Sequence, residues 1–403
     1  MSLRRFVYLV MGGPSTYDLR RIDMSRFFFT NEHGQRHDLL PHPPPSQLEE
    51  DDLPEPATTF VSPTGGHMDF MLLGGGGGGG ENNKVVATDE TCRATLHDPE
   101  DRSSFALPKL SSPKLMAAAV TVDGGLYVLQ TVDRFARISP ENCFDCLVRR
   151  GSGLFRRLQL ETPTPSGDDP AQDDEWFCRS LPPPPFVDDD GGRWSRRERL
   201  VDSYAVVGGG DRGAGQGPHI WVSTPDQGTH SFDVARRAWS KAGDWSLPLR
   251  GHAQFVPEHG LWFGHSGNND DYDDRDFCKH DLGHVCAADL TATPPTLHAV
   301  WTDPTPPEGR MEASYLVHLG RSRFCLARTF ETCSPEDGYQ DIMVVSGIEV
   351  QRCDDDGGKL RMVKHRSQRY DLDCEGEVFS GFAECQEHSA YRLFPIVHDM
   401  AAK

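Results

Sequence analysis

Short apolar runs separated by Gly, Pro and acidic clusters recur along this chain: V-V-A-T-D-E from Val85, L-Y-V-L-Q-T-V from Leu126, H-I-W-V-S-T from His219, G-L-W-F-G-H from Gly260 and R-F-C-L-A-R-T-F from Arg323. Few windows long enough for a helix escape Gly or Pro, and fewer place apolar residues at i, i+3, i+4 and i+7, so the pattern predicts strands. Counted between Val85, Tyr127, Ile220, Leu261 and Arg323, the steps are 42, 93, 41 and 62 residues. The first and third fit the ~40–50-residue period of propeller blades. The second reads as about two such periods, and the fourth as one period lengthened by the acidic stretch after Gly267.

A second feature repeats within these units. An apolar strand ends in Asp, crosses a polar turn and reaches an aromatic residue in L-H-D-P-E-D-R-S-S-F from Leu96, S-F-D-V-A-R-R-A-W from Ser231 and A-A-D-L-T-A-T-P-P-T-L-H-A-V-W from Ala287. A hairpin explains it: the carboxylate accepts hydrogen bonds from turn amides, and the aromatic on the returning strand fills the wedge between neighbouring sheets. The expected fold class is all-β, a β-propeller of roughly six four-stranded blades within a range of about five to seven, as a single domain over residues 4–396. Phe6 to Met11 reads as a first strand that pairs with C-terminal strands to close the ring, because an open radial array leaves edges unpaired. Four stretches are expected as surface insertions: 42–56, rich in Pro and acid, 74–83 with its glycine run, 162–174, and 267–281 with its N-N-D-D-Y-D-D-R-D core.

Composition agrees with a turn-rich β fold, since hydrophobic residues are only 37% while Gly 40 and Pro 30 are abundant. Charge narrows the partners. Lys+Arg 41 against Asp+Glu 61 gives −20, which repels phosphate backbones and anionic lipid, so a protein partner is expected and neither nucleic acid nor membrane. The clusters Arg196-Arg197-Glu198-Arg199 and Lys364-His365-Arg366 are short and mixed, and read as solvated strand edges. The apolar run after Arg4 and Arg5 spans six residues, too short for a signal peptide or a membrane span. Eleven cysteines, an odd number with irregular spacing, then point to a reducing compartment, cytosol or nucleus, and a monomer is expected.

The stretch Y-A-V-V-G-G-G-D-R-G from Tyr204 places Gly208, Gly210 and Gly213 in the G-x-G-x-x-G spacing of a dinucleotide site. Such a site needs a helix directly after the glycines to supply amides and dipole to the pyrophosphate. Here Gly215, Gly217 and Pro218 lead into I-W-V-S-T, another strand, and Asp226 sits in the turn T-P-D-Q-G. The glycines therefore read as a turn, with no cofactor expected.

Cys143-Phe-Asp-Cys146 has the spacing of half a zinc site, yet no second pair stands at a usual distance, so ordinary reduced cysteines are expected. Cys278, His280, His284 and Cys286 offer four soft ligands in a cluster tighter than usual zinc modules, and Cys286 opens an apolar strand. No metal is assigned. The acidic residues from Asp270 to Asp276 lack the glycine and terminal glutamate of an EF-hand. G-H-S-G-N at Gly264 fails the G-x-S-x-G pattern, and no catalytic residue is assigned.

Y-A-V-V-G-G (Tyr204 to Gly209), I-W-V-S (Ile220 to Ser223), F-D with the later Trp239, and L-W-F-G (Leu261 to Gly264) resemble a degenerate kelch pattern. With L-P-P-P-P-F-V from Leu181, G-T-H-S-F-D from Gly228, C-A-A-D-L from Cys286, R-S-R-F-C-L-A-R-T-F-E from Arg321 and L-R-M-V-K-H-R-S-Q-R-Y from Leu360, the chain resembles a family of uncharacterised plant proteins, expanded in grasses, kelch-related and classed as a domain of unknown function. The resemblance implies a kelch-like propeller without an established activity. Some plant kelch proteins carry an F-box and act in ubiquitin ligases, but here a strand begins almost at once and no F-box precedes it. The expected role is a non-enzymatic protein-interaction module whose contacts include Trp262, His265, Asp270, Asp271, Tyr272, Asp273 and Asp274. Alternatives are a ubiquitin-ligase-associated adaptor without its own F-box and an enzyme with its site at the mouth of the propeller channel.

Overall fold

The computed structural model describes residues 4–12, 15–28, 48, 50–74, 84–114, 117–131, 142–157, 175–187, 201–208, 217–225, 227–266, 284–302, 309–334, 338–353, 358–372 and 391–399. Besides one 3-10 turn (Met24–Phe27) and the short α1 (Gly153–Arg157), its regular elements are strands. They are laid out as antiparallel meanders of four. Unit 1 uses β1 (Arg4–Gly12), β2 (Thr16–Asp23) and β4 (Pro56–Val61), while the short β3 (Glu50–Asp51) leaves it for another sheet. Unit 2 is β5 (Met68–Leu73), β6 (Lys84–Asp89), β7 (Ala94–Asp98) and β8 (Ser103–Leu107), and unit 3 is β9 (Ala118–Val122), β10 (Gly125–Leu129), β11 (Phe144–Arg149) and β12 (Trp176–Ser180). Unit 4 holds β13 (Ser203–Val207), β14 (His219–Thr224), β15 (Gly228–Asp233) and β16 (Ala238–Gly243). Unit 5 holds β17 (Leu249–Val256), β18 (Leu261–Ser266), β19 (His284–Asp289) and β20 (Thr296–Thr302), joined to unit 4 by parallel pairing of β13 with β17. Unit 6 has the longest strands, β21 (Gly309–Gly320), β22 (Arg323–Ser334), β23 (Gly338–Arg352) and β24 (Leu360–Asp371). The last strand, β25 (Tyr391–Asp399), returns to unit 1 and pairs antiparallel with β1, Val7 opposite Val397.

The units stand side by side as the blades of a β-propeller. First strands β5, β9, β13, β17 and β21 follow β25 as successive neighbours, and β21 comes back to β25. Among the described residues each adjacent pair of units shares an apolar core: Tyr8 and Phe60 with Phe70, Leu96 with Leu126 and Leu147, Phe144 with Phe232, Ala205 with Trp262 and Cys286, Phe263 with Phe324, and Leu9 and Phe28 with Cys325 and Tyr370. A strand buried on both faces reads as a continuous apolar run, and β1 is one: all six residues from Phe6 to Met11 are buried.

The five recurrent apolar runs are β6, β10, β14, β18 and β22, the second strand of each unit, and β1 holds the same place in unit 1. One step was misread. Tyr127 and Ile220 lie in adjacent units, so the 93 residues between them are one period and not two. The extra length sits in connections, where insertion adds little entropic penalty because loop closure grows only logarithmically with length.

The Asp-turn-aromatic pattern forms hairpins in all three places, but the aromatic fills the wedge in two. Asp233 accepts from the amides of Ala235 and Arg236 at 2.9 and 2.8 Å, and Trp239 packs on Phe232 and Phe144. Asp289 accepts from Thr291, and Trp301 stacks parallel to Phe263. Asp98 accepts from the amide of Glu100, yet Phe105, opposite Leu96 on the outer strand β8 and so on the face toward unit 3, is still 56% exposed.

The glycine stretch after Tyr204 is a hairpin connection: β13 pairs antiparallel with β14, and Gly208 takes φ +82° at the strand's end. The strand that follows is therefore antiparallel, not the parallel strand of a dinucleotide-binding unit. Of the expected insertions, 75–83, 162–174 and 267–281 lie outside the described residues. Of the segment 42–56, residues 48 and 50–56 are described. Leu48 packs on Phe330, Ile342 and Val344, β3 pairs with β24, and Pro56 already belongs to β4.

Candidate interaction surface

Two of the expected contact residues are interior. Trp262 on β18 is 4% exposed, sits in the core between units 4 and 5, and donates its indole N–H to the Val206 carbonyl at 2.9 Å. An indole that is buried usually finds such a partner, and here the bond ties two units together. His265, two residues after Phe263 and on the same strand face, is buried at the seam of units 5 and 6. Burial first, and the charge of Arg328 second, push its pKa down to about 4, so the ring is neutral at pH 7. Neither side chain presents a contact surface. Asp270, Asp271, Tyr272, Asp273 and Asp274 lie outside the described residues, as do Cys278 and His280.

His284 and Cys286 both sit on β19, where burial raises the Cys286 thiol to about 11. Cys143 and Cys146 are buried, and burial pushes Cys146 far above the ordinary thiol range. A thiol so placed is a small hydrophobe rather than a ligand or nucleophile. Among the described residues no group of three or more His, Cys, Asp or Glu is placed to hold a metal ion.

The informative residue in Cys143-Phe-Asp-Cys146 was the Asp. Asp145 pairs with Lys114 at 2.7 Å, both side chains wholly buried. Lys114 also donates to the carbonyls of Ser112 at 3.0 Å and Asn142 at 2.7 Å, and Asp145 accepts from the Ser111 amide and hydroxyl at 3.0 and 2.7 Å. Every strong donor and acceptor is matched, which is the condition for a buried pair to be tolerated, and losing one partner of such a pair typically costs ~3–5 kcal/mol. The clamp fastens the connection between β8 and β9 onto β11. Nothing in the sequence marks it, because Lys114 and Asp145 lie far apart along the chain.

A crevice between units 3 and 4 is lined by Tyr127, Phe144, Tyr204, Trp239 and aliphatic neighbours. Its free volume is about 10 Å³, room for about one water and far short of the ~300–1,000 Å³ of small-molecule sites.

The outer edges are more informative. β20, T-L-H-A-V-W-T, has no Lys, Arg, Asp or Glu, and among the described residues it pairs only with β19. Ala287 faces Ala299 while Ala288 faces Leu297, so His298 is an extra residue that reverses the alternation. Ala299 and Trp301 consequently pack on the seam with unit 6, while Leu297 and Val300 remain 47% and 50% exposed. An edge strand with bare amides, bare carbonyls and apolar side chains is a template for an added strand. On unit 6 the corresponding edge, β24, is met by β3 in parallel at Arg369 and Tyr370.

Comparison with known proteins adds a family and little more. The family model described as "Protein of unknown function (DUF1668)" matches residues 4–370. A search of curated proteins finds no significant match. Among solved structures, BBS1N in complex with ARL6DN is similar in two crystals. The mercury-soaked one is 12% identical with TM-score 0.33, covering 72% of this chain and 69% of that one. The lead-soaked one is 13% identical with TM-score 0.34, covering 85% and 92%. Among the described residues no helix is long and apolar enough to cross a membrane.

Proposed function

The chain belongs to the DUF1668 family, and from that premise we propose that it works as a non-enzymatic protein-interaction module that takes an extended segment of a protein partner as an added strand along β20. The family's description names no reaction, so the reading rests on this chain's own surface. One observation carries it: β20 offers an uncharged edge with Leu297 and Val300 half exposed on its solvent side. Edge strands in soluble proteins are normally guarded by Lys, Pro or a cover, and among the described residues β20 has only its bulge at His298. Main-chain hydrogen bonds would give such a complex its affinity, and a partner's apolar side chains over Leu297 and Val300 its register. The hairpins closed by Asp233 with Trp239 and by Asp289 with Trp301 support a kelch-like propeller as the scaffold. The acidic stretch Asp270 to Asp274 is the second part of the proposal, drawing a partner with basic flanks toward unit 5 by long-range attraction.

The test compares the full chain with Leu297→Lys/Val300→Glu and with a version carrying a neutral linker of equal length at 268–276. Partners are cross-linked in the source tissue and quantified. A partner lost at least tenfold with the β20 variant, and bound more slowly with the linker variant, is the expected outcome. An unchanged partner set with the β20 variant would refute the edge reading.

A further inference from the structure

The outer edge of unit 6 is a different surface. β24 reads L-R-M-V-K-H-R-S-Q-R-Y-D, with Arg361, Lys364, Arg366 and Arg369 against the single acid Asp371, in a chain whose acids outnumber its bases by 61 to 41. Arg361 and Arg366 are exposed, and neither has an ion-pair partner among the described residues. Charge segregated so strongly against the global sign produces a local positive field on a repelling background.

The chain already shows what this edge accepts. β3 adds to β24 as a parallel strand, but only at Arg369 and Tyr370, with the Glu50 carboxylate 4.0 Å from the Arg369 guanidinium. Its residues are both acidic, and an apolar anchor, Leu48, precedes them. Below that point, Leu360 to Gln368 pair with β23 on one side, and among the described residues no strand meets their other side. The seam is broken only by the extra residue of β24 opposite Gly347, with one end occupied by an acidic strand and the rest carrying the same kind of basic side chains. The chain's own residues 42–47, H-P-P-P-S-Q, do not match it, having no carboxylate and three prolines that lack the amide a ladder needs.

We propose that residues 360–368 of β24 bind an extended acidic segment of a partner protein, added as a strand that continues the seam begun by β3. Because β24 has one extra residue opposite Gly347, Arg361 and Arg366 share a face, so Asp or Glu at alternate positions of that segment would face both, the cross-strand arrangement that favours opposite charges. This surface is independent of β20: the two edges belong to different units and select opposite chemistry.

The experiment titrates the full-length protein against a fluorescein-labelled ten-residue peptide alternating Glu with Val or Thr, the same peptide with Lys for Glu, and a double-stranded DNA oligonucleotide. Anisotropy is followed at 50 and 300 mM salt, and amide hydrogen exchange is read at β24. The expected result is binding of the Glu peptide alone, at least tenfold weaker with Arg361→Glu/Arg366→Glu, weaker in high salt, with new protection at 361–368. Arg236→Glu/Lys241→Glu, on unit 4, serves as the control and should leave binding unchanged, and unchanged thermal unfolding of both variants shows that the fold is kept. Absence of binding, equal binding to the two variants, or binding without protection at β24 overturns the proposal. DNA binding as tight as the Glu peptide also overturns it, since the strip would then be a polyanion site.

Discussion

β20 and β24 are the outermost strands of adjacent units, made by the same four-stranded meander, and they answer the exposed-edge problem in opposite ways. β24 is lined with bases and partly covered by β3. β20 is uncharged, uncovered among the described residues, and interrupted only by the extra residue His298. Charge and cover both discourage accidental pairing, while a bulge merely twists the edge. The difference teaches that the ring sets where edges occur, while the sequence of each outer strand sets what an edge rejects.

The largest effect on this pair of edges should come from acid, which attacks the seam between them. Burial lowers the pKa of His265 and His318 at that seam, and of His252, stacked on Tyr204 of unit 4, to about 4. Each is lowered in the folded state, so between pH ~6.5 and about 4 the unfolded chain binds more protons, and stability falls as pH falls through that window. Denaturant midpoints measured from pH 7 to 4 should decline steadily. His318→Gln should flatten part of the decline, and a midpoint indifferent to pH in this range would contradict the buried, neutral state of these rings. Next in size is Gly347→Ala. Gly347 sits at the register shift between β23 and β24, and a Cβ there would stand 2.9 Å from the Phe27 carbonyl oxygen and 3.2 Å from Phe28 Cζ. Overpacking of this kind costs ~1–3 kcal/mol. Because Phe27 and Phe28 dock the connection that leads to β3, amide exchange at Arg369 and Tyr370 should accelerate while β20 is unaffected, making the two edges alike in exposure though still unlike in charge. The smallest effect is that of Leu297→Lys/Val300→Glu on stability. Both residues are half exposed, so unfolding should shift by no more than ~0.5 kcal/mol. A larger loss would mean that β20 is packed rather than open.

Much of the ring was legible in the sequence, for a reason visible in β6, β10, β14, β18 and β22. Second strands are flanked on both sides and packed on both faces, so their apolar runs are continuous and easy to see. Outer strands such as β8 and β16 carry mixed residues and little signal. The Asp turns were readable because a carboxylate two residues before a turn amide acts locally. Position within the ring was harder. Trp262 and His265 looked like contact residues because they sit beside an acidic stretch, but strand parity sends one to each seam of unit 5. The Lys114–Asp145 clamp and the docking of β3 on β24 depend on tertiary meetings that no local pattern encodes.

The pairing of β1 with β25 also sets a clock. During synthesis the apolar run Phe6–Met11 emerges well before the strand that pairs along its inner side, which begins at Tyr391. At ~5–20 residues per second, about 20–80 seconds pass before that partner exists. For this interval a strand with six consecutive apolar residues has one open flank, so newborn chains should depend on chaperones that hold it until the ring can close.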